Sequence, residues 1–219
     1  MNKTLVDNFD IIGIHFLPDM MYDYDTFWSI RIIQRKKENP DLGKNSKLVR
    51  SYQVQSREDL QNLKPHILKH CIDNNARAYI NLNPKSWRQA AYQELKAIAD
   101  IIAEERFGDL PKVLDKTIDS GAKMKLQESW MKSWVVDVDT KDREEIDLVK
   151  DLIQGIFQSE KSSIKAELPT VNGVHIISSP FDCKRFSDDY KLLRPCNETP
   201  EVKKDQPTLL FYQDPLTAF

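Results

Sequence analysis

A chain of 219 residues, 40% hydrophobic and 30% charged, is long enough to bury a core as one globular unit or as a core with a smaller module. Its formal net charge of −2 excludes a globally positive surface, so attraction to nucleic acid has to come from a local basic patch. No apolar run approaches the length of a bilayer span, and Met1 to Phe9 lacks the apolar stretch and small-residue cleavage site of a signal peptide. A cytoplasmic protein without membrane contact is expected. The three cysteines, Cys71, Cys183 and Cys196, are scattered and odd in number, so they form neither a disulfide framework nor a CxxC metal knuckle.

In chain order, the first predicted element is a hairpin. Phe27 to Gln34 is apolar and β-prone, Glu38 to Ser46 is rich in turn formers, and Leu48 to Val54 is again strand-like. Arg31, Arg35, Lys36, Lys37, Lys44, Lys47 and Arg50 give this hairpin a basic character, opposed only by Glu38 and Asp41. Ser56 is placed to cap a helix from Arg57 to Cys71, in which Leu60, Leu63, Ile67 and Cys71 recur at helical spacing. His66 and His70 on this helix have an i, i+4 spacing but no further ligand to complete a metal site. Arg77 to Asn83 alternates as a strand, with Arg77, Tyr79 and Asn81 on a polar face. A long amphipathic helix then starts near Ser86 and ends before Gly108, and a further helix is expected from Leu110 to Met124.

The second half predicts a strand at Trp134 to Val138, a helix at Arg143 to Phe157, strands at Ser163 to Leu168 and Val174 to Ser178, and a last strand at Thr208 to Tyr212. With a short helix before the last strand, the order is β-α-β-β-α-β. An α/β (α+β) fold is therefore expected: a ferredoxin-like or RNA-recognition-like sheet over 126–219, with helices on one face and the other open, preceded by an α/β module over 1–125. Arg194 to Pro207, with three prolines, is expected to be a long loop.

In Trp134-Val135-Val136-Asp137-Val138-Asp139 the pleat sends both carboxylates to one face and the valines to the other. Two like charges so close need water or a cation between them, and hard oxygen ligands suit Mg²⁺ or Mn²⁺. Downstream, Pro169-Thr170-Val171-Asn172-Gly173-Val174-His175 is a turn leading into a strand. Gly173 permits close approach to the main chain, Thr170 and Asn172 offer polar contacts to phosphate oxygens, and His175 shares the strand face of Gly173 by parity.

A hydrophobic-Asp-hydrophobic-Asp strand followed by a Gly-x-His strand resembles the first two signature motifs of the archaeo-eukaryotic primase superfamily, which includes primase small subunits and primase-polymerases. The resemblance covers residues 134–180. It implies an RNA-recognition-like catalytic sheet, two divalent metals held by Asp137 and Asp139, and contact between His175 and the triphosphate of an incoming nucleotide. A third acidic ligand is expected after a hydrophobic strand, where Asp214 stands. The activity implied is nucleotidyl transfer to a 3′-hydroxyl by the two-metal route. Its partners would be nucleoside triphosphates, single-stranded or primed nucleic acid, and a helicase or accessory replication subunit. Arg77 would then line the nucleotide channel, while Arg35, Lys36, Lys37, Lys44 and Lys47 would meet the phosphate backbone.

Two other readings compete. Val136-Asp137-Val138-Asp139-Thr140 also fits the nucleophile motif of haloacid-dehalogenase-type phosphatases, with Ser178, Lys184 and Asp188-Asp189 as later pieces, but too little chain follows for that fold's parallel sheet. Alternatively, the protein keeps the primase-like sheet and binds nucleic acid or a partner without turnover, as it would if the third carboxylate is missing.

Overall fold

The computed structural model of the chain describes residues 4–21, 23–110, 131–157 and 159–214. Its strands are β1 (Leu5–Asp7), β2 (Thr26–Gln34), β3 (Lys47–Val54), β4 (Arg77–Ile80), β5 (Lys85–Ser86), β6 (Trp134–Val138), β7 (Ile164–Pro169), β8 (Val174–Ser178), β9 (Glu201–Lys203) and β10 (Thr208–Gln213). Its helices are α1 (Phe9–Phe16), α2 (Arg57–Asp73), α3 (Trp87–Ala103), α4 (Arg143–Ile156) and α5 (Cys183–Leu193), with one 3₁₀ turn at Phe107–Asp109. The helix expected over Leu110 to Met124 falls almost wholly on 111–130, outside the described residues. No described helix is long and apolar enough to cross a membrane.

Side-chain caps fix where the helices begin, each satisfying an amide that has no partner within its helix. Ser56 accepts from Asp59 N–H at 3.0 Å and Ser86 from Gln89 N–H at 3.1 Å, as the sequence predicts. Asp142 accepts from Glu144 N–H at 3.1 Å, and Asp182 from the amides of Lys184 and Arg185 at 2.9 and 3.1 Å.

The strands form two antiparallel sheets. One runs β1-β10-β4-β2-β3 with β5 beside β2, and the other runs β7-β8-β6-β9. In the first sheet Ile30 and Ile32 of β2 lie opposite Ile80 and Ala78 of β4. Together with Val54 and Leu210 they bury against Phe9 and Ile12 of α1 and Leu60 and Ile67 of α2. The pleat therefore turns Ile33, Arg77 and Tyr79 to the opposite face. In the second sheet Val136, Val138, Val174 and Ile176 pack on Ile146, Val149 and Ile153 of α4 and on Phe186 and Tyr190 of α5.

Two expectations about the second sheet are corrected. Its outer face is not open along its length, because Val135, Leu168 and Ile177 are buried in the core of the first sheet, and only its polar end is free. The strand Thr208–Gln213 does not complete it either: β10 pairs with β1 and β4 in the first sheet, while the three-residue β9 takes the place beside β6. The first sheet is thus completed by chain from beyond residue 126.

Two asparagines tie the sheets together. The fully buried Asn8 donates from Nδ2 to Pro169 O at 3.0 Å, at the end of β7, and to Leu209 O at 2.8 Å, on β10. Asn83 donates to Ser133 O at 3.0 Å and accepts from Ser133 N–H at 2.8 Å, just before β6. Each pairs main-chain groups that would otherwise be buried without partners at the seam.

Candidate functional site

Between the polar face of the first sheet and the polar end of the second lies a cleft of about 760 Å³. Asp137 reaches it from β6 and Asp139 from just past that strand's end, His175 from β8, Arg77 and Tyr79 from β4, and Thr170 and Asn172 from the β7–β8 turn. Arg35, Lys37 and Glu38 enter from the start of the hairpin loop, and Lys203 from β9.

Asp137 sits at the centre of this charge arrangement. It is opposite His175 in the β6–β8 register and opposite Glu201 in the β6–β9 register, so neighbours on both sides share its face. His175 Nε2 lies 3.3 Å from Asp137 Oδ1, and Lys203 Nζ donates to Asp137 Oδ2 at 2.5 Å. The far ring nitrogen, His175 Nδ1, is 2.7 Å from Thr208 Oγ1 of β10, a buried contact that ties the imidazole to the first sheet. In the neutral ring Nε2 donates to Asp137 and Nδ1 accepts the threonine proton. The His175 hydrogen bond, helped by Lys203 and opposed by burial, holds the Asp137 carboxyl down at about 2. Burial alone would lower the Lys203 ammonium, yet its bonds to Asp137 and Glu201 keep it above the ordinary lysine value.

A second cluster fixes the opposite wall. Arg77 Nη2 donates to Glu38 Oε1 at 2.5 Å, and its guanidinium lies 4.4 Å from the centre of the Tyr212 ring. Arg35 Nη1 approaches the same carboxylate oxygen at 3.7 Å. Glu38 Oε2 and Arg77 Nε are buried without a hydrogen-bond partner, an acceptor and a donor in side chains that line the cleft. Glu38 and the Tyr212 ring together fix the Arg77 guanidinium in the cleft wall.

Among the predicted site residues, Asp137, Asp139, Thr170, Asn172, His175, Arg77, Arg35 and Lys37 converge on this cleft. Four others stand apart. Lys36, Lys44 and Lys47 are exposed on the hairpin away from the lining, and Asp214 follows β10, where its N–H bonds Thr4 O at 3.1 Å beside β1. Gly173 has a different neighbour from the ligand expected: it presses on the main chain at the end of β6, where an added Cβ would lie 2.0 Å from Val138 O. Sequence reasoning missed Lys203 and Glu38. The hairpin's net basicity hid Glu38 as a counter-charge, and the segment holding Lys203 has the composition of a loop.

The donors among the described residues do not form a closed metal cage. Asp139 is exposed and Asp137 lies beside it on the same face, whereas both oxygens of Asp137 already have cationic or N–H neighbours. Among the described residues no group of three His, Cys, Asp or Glu side chains is placed to hold a metal ion. Mg²⁺ commonly binds through one or two carboxylates plus substrate phosphates, and Asp137 with Asp139 are the residues that could hold such an ion. The pieces of the phosphatase motif do not gather here: Ser178 is wholly buried, Lys184 and Asp188 lie on α5 behind the sheet, and every pairing among the described strands is antiparallel. No family model matches the sequence, and neither the curated proteins nor the solved structures contain a match to it.

Proposed function

We propose that the cleft binds the triphosphate of a nucleoside triphosphate, and that the protein is a primase-polymerase-like nucleotidyltransferase acting on single-stranded or primed nucleic acid. The observation that carries this is the convergence of the Asp137–Asp139 pair and His175 with Arg35, Lys37, Arg77 and Lys203 in one cleft. Arg35, Lys37, Arg77 and Lys203 outnumber Glu38, Asp137 and Asp139 by one charge, so the cleft favours a polyphosphate that arrives with the cation the two aspartates would hold. The connectivity of the second sheet supports an RNA-recognition-like fold. Its order β7-β8-β6-β9, with α4 and α5 on one face, is that of a β-α-β-β-α-β unit in which the first and third strands are central.

In this reading Asp137 and Asp139 hold Mg²⁺ or Mn²⁺, which when bound would activate the attacking hydroxyl and stabilise charge on the transferring phosphorus. His175, oriented by Thr208, would turn its Nε2–H from Asp137 to the phosphates once the cation takes that carboxylate. The exposed Lys36, Lys44 and Lys47 lead from Lys37 at the cleft mouth along the hairpin and would receive the nucleic-acid backbone. A helicase or accessory replication subunit would supply the template in trans.

Two observations favour a second reading, binding without turnover: Asp137 is held by Lys203, and Asp214 stands outside the cleft lining. Primer extension with Mn²⁺ and labelled nucleotides, run beside a nucleotide-binding titration, separates the two. Extension that is abolished by Asp137→Asn with Asp139→Asn supports transfer. Binding without extension supports the second reading, and the absence of both overturns the nucleotide assignment altogether.

A further inference from the structure

Lys203 lies outside both the Asp137–Asp139 strand motif and the Gly173–His175 motif, yet it makes the shortest contact to the central carboxylate. Its Nζ is 2.5 Å from Asp137 Oδ2 and 3.3 Å from Glu201 Oε2, and its side chain, 19% exposed, lines the cleft beside His175. A carboxylate oxygen that accepts from an ammonium at this distance is neutralised, and a divalent cation approaching the same oxygen is repelled by the resident charge. An ammonium on a flexible stem, however, can change partners within a few ångströms, and it binds phosphate as a point charge.

We propose that Lys203 is a triphosphate ligand that competes with the divalent cation for Asp137: in the free cleft it rests on the carboxylate, and in the occupied cleft it turns to a phosphate oxygen and leaves Asp137 to the cation. This inference rests on the nucleotide-binding reading above and adds to it an order of events. Phosphate and cation assist one another because each satisfies what the other displaces. The pair Asp137–Lys203 is then an exchangeable bond, which lets Asp137 and Asp139 serve a triphosphate with Asp214 outside the cleft lining.

The test uses inorganic tripolyphosphate and Mn²⁺ as separate probes on the full chain, by calorimetry and by electron paramagnetic resonance of free Mn²⁺. Tripolyphosphate in EDTA should bind Lys203→Met roughly ten- to a hundredfold more weakly than the wild type, the range for losing one charged hydrogen bond, and Lys203→Arg within about threefold. Mn²⁺ alone should bind Lys203→Met about tenfold or more tightly than the wild type, because the competing charge is gone. Asp137→Asn supplies a measurement that does not depend on the stability of the Lys203 variants: freeing the ammonium should strengthen tripolyphosphate binding severalfold. Unchanged tripolyphosphate affinity in Lys203→Met, unchanged Mn²⁺ affinity, or weaker tripolyphosphate binding in Asp137→Asn overturns the role of Lys203 alone. A wild type that binds neither tripolyphosphate nor a nucleoside triphosphate overturns the reading beneath it.

Discussion

Replacing Gly173 by alanine tests how closely the β7–β8 turn is seated against the carboxylate strand. A methyl group there would stand 2.0 Å from Val138 O, 2.6 Å from Thr140 N and 2.8 Å from Thr140 O. All three are main-chain atoms immediately around Asp139, so no side chain can swing aside, and the turn has to back away by more than an ångström. The two bonds that close the turn would loosen with it: Gly173 N–H to Thr170 Oγ1 at 3.0 Å, and Thr170 N–H to Gly173 O at 2.9 Å. Overpacking of this kind costs about 1–3 kcal/mol and a weakened hydrogen bond about 1 kcal/mol more. For a chain of this size the expected fall in melting temperature is roughly 5–12 °C by differential scanning calorimetry. Gly155→Ala is the matched control. Nothing lies within 4 Å of its added Cβ, and it sits in the last turn of α4, so alanine should stabilise by about 0.5 kcal/mol through reduced chain entropy. If Gly173→Ala melts with the wild type, or Gly155→Ala loses as much stability as Gly173→Ala, the packing of this turn on β6 has been misjudged.

Three further outcomes are expected. Asn83→Ala strands the buried amide and carbonyl of Ser133 and should cost about 2–3 kcal/mol in urea unfolding; a loss under about 0.5 kcal/mol would show that the seam does not depend on it. The Tyr190 hydroxyl at 2.6 Å, and then Arg194, lower the Glu145 carboxyl against the effect of burial. Its folded value therefore lies below its unfolded one, so its contribution is present at neutral pH and is lost as pH falls through the carboxylate range. The gap in urea midpoint between wild type and Glu145→Gln should accordingly shrink on acidification, and a gap independent of pH would contradict the assignment. Lys44→Gln with Lys47→Gln should reduce the slope of log affinity for single-stranded DNA against log salt by about 1.4, the effect of two lost phosphate contacts; an unchanged slope would remove the hairpin from the interface.

The parts of this fold that can be read from sequence are those whose signal is local. The hairpin strands announce themselves by β-prone residues on either side of a run of turn formers, and α2 and α3 by helical spacing and by Ser56 and Ser86 at their caps. The pleat of β6, continued one residue past its end, likewise places Asp137 and Asp139 on one face without any knowledge of neighbours. What the sequence conceals is partnership. Thr208–Gln213 has the pattern of a strand, but nothing in it says that it pairs with β1 and β4 instead of β6, a choice settled by burial of Leu210 and Phe211 in the first core. β9 is three residues long with no alternation to detect, so nothing local in the sequence encodes the register that brings Lys203 to Asp137. The same holds for Thr208, whose contact with His175 joins residues from different sheets.

The central claim, that a triphosphate enters the cleft beside His175, is tested most directly by following the histidine ring signals of the uniformly ¹⁵N-labelled protein during titration with a nucleoside triphosphate. The chain has four histidines, and His15, His66 and His70 lie on α1 and α2, outside the cleft lining. One set of ring resonances, that of His175, should shift with the nucleotide and vanish from the spectrum of His175→Gln while the other three hold still. Signals that all stay in place at saturating nucleotide, or that move on α1 and α2 instead, would contradict the account.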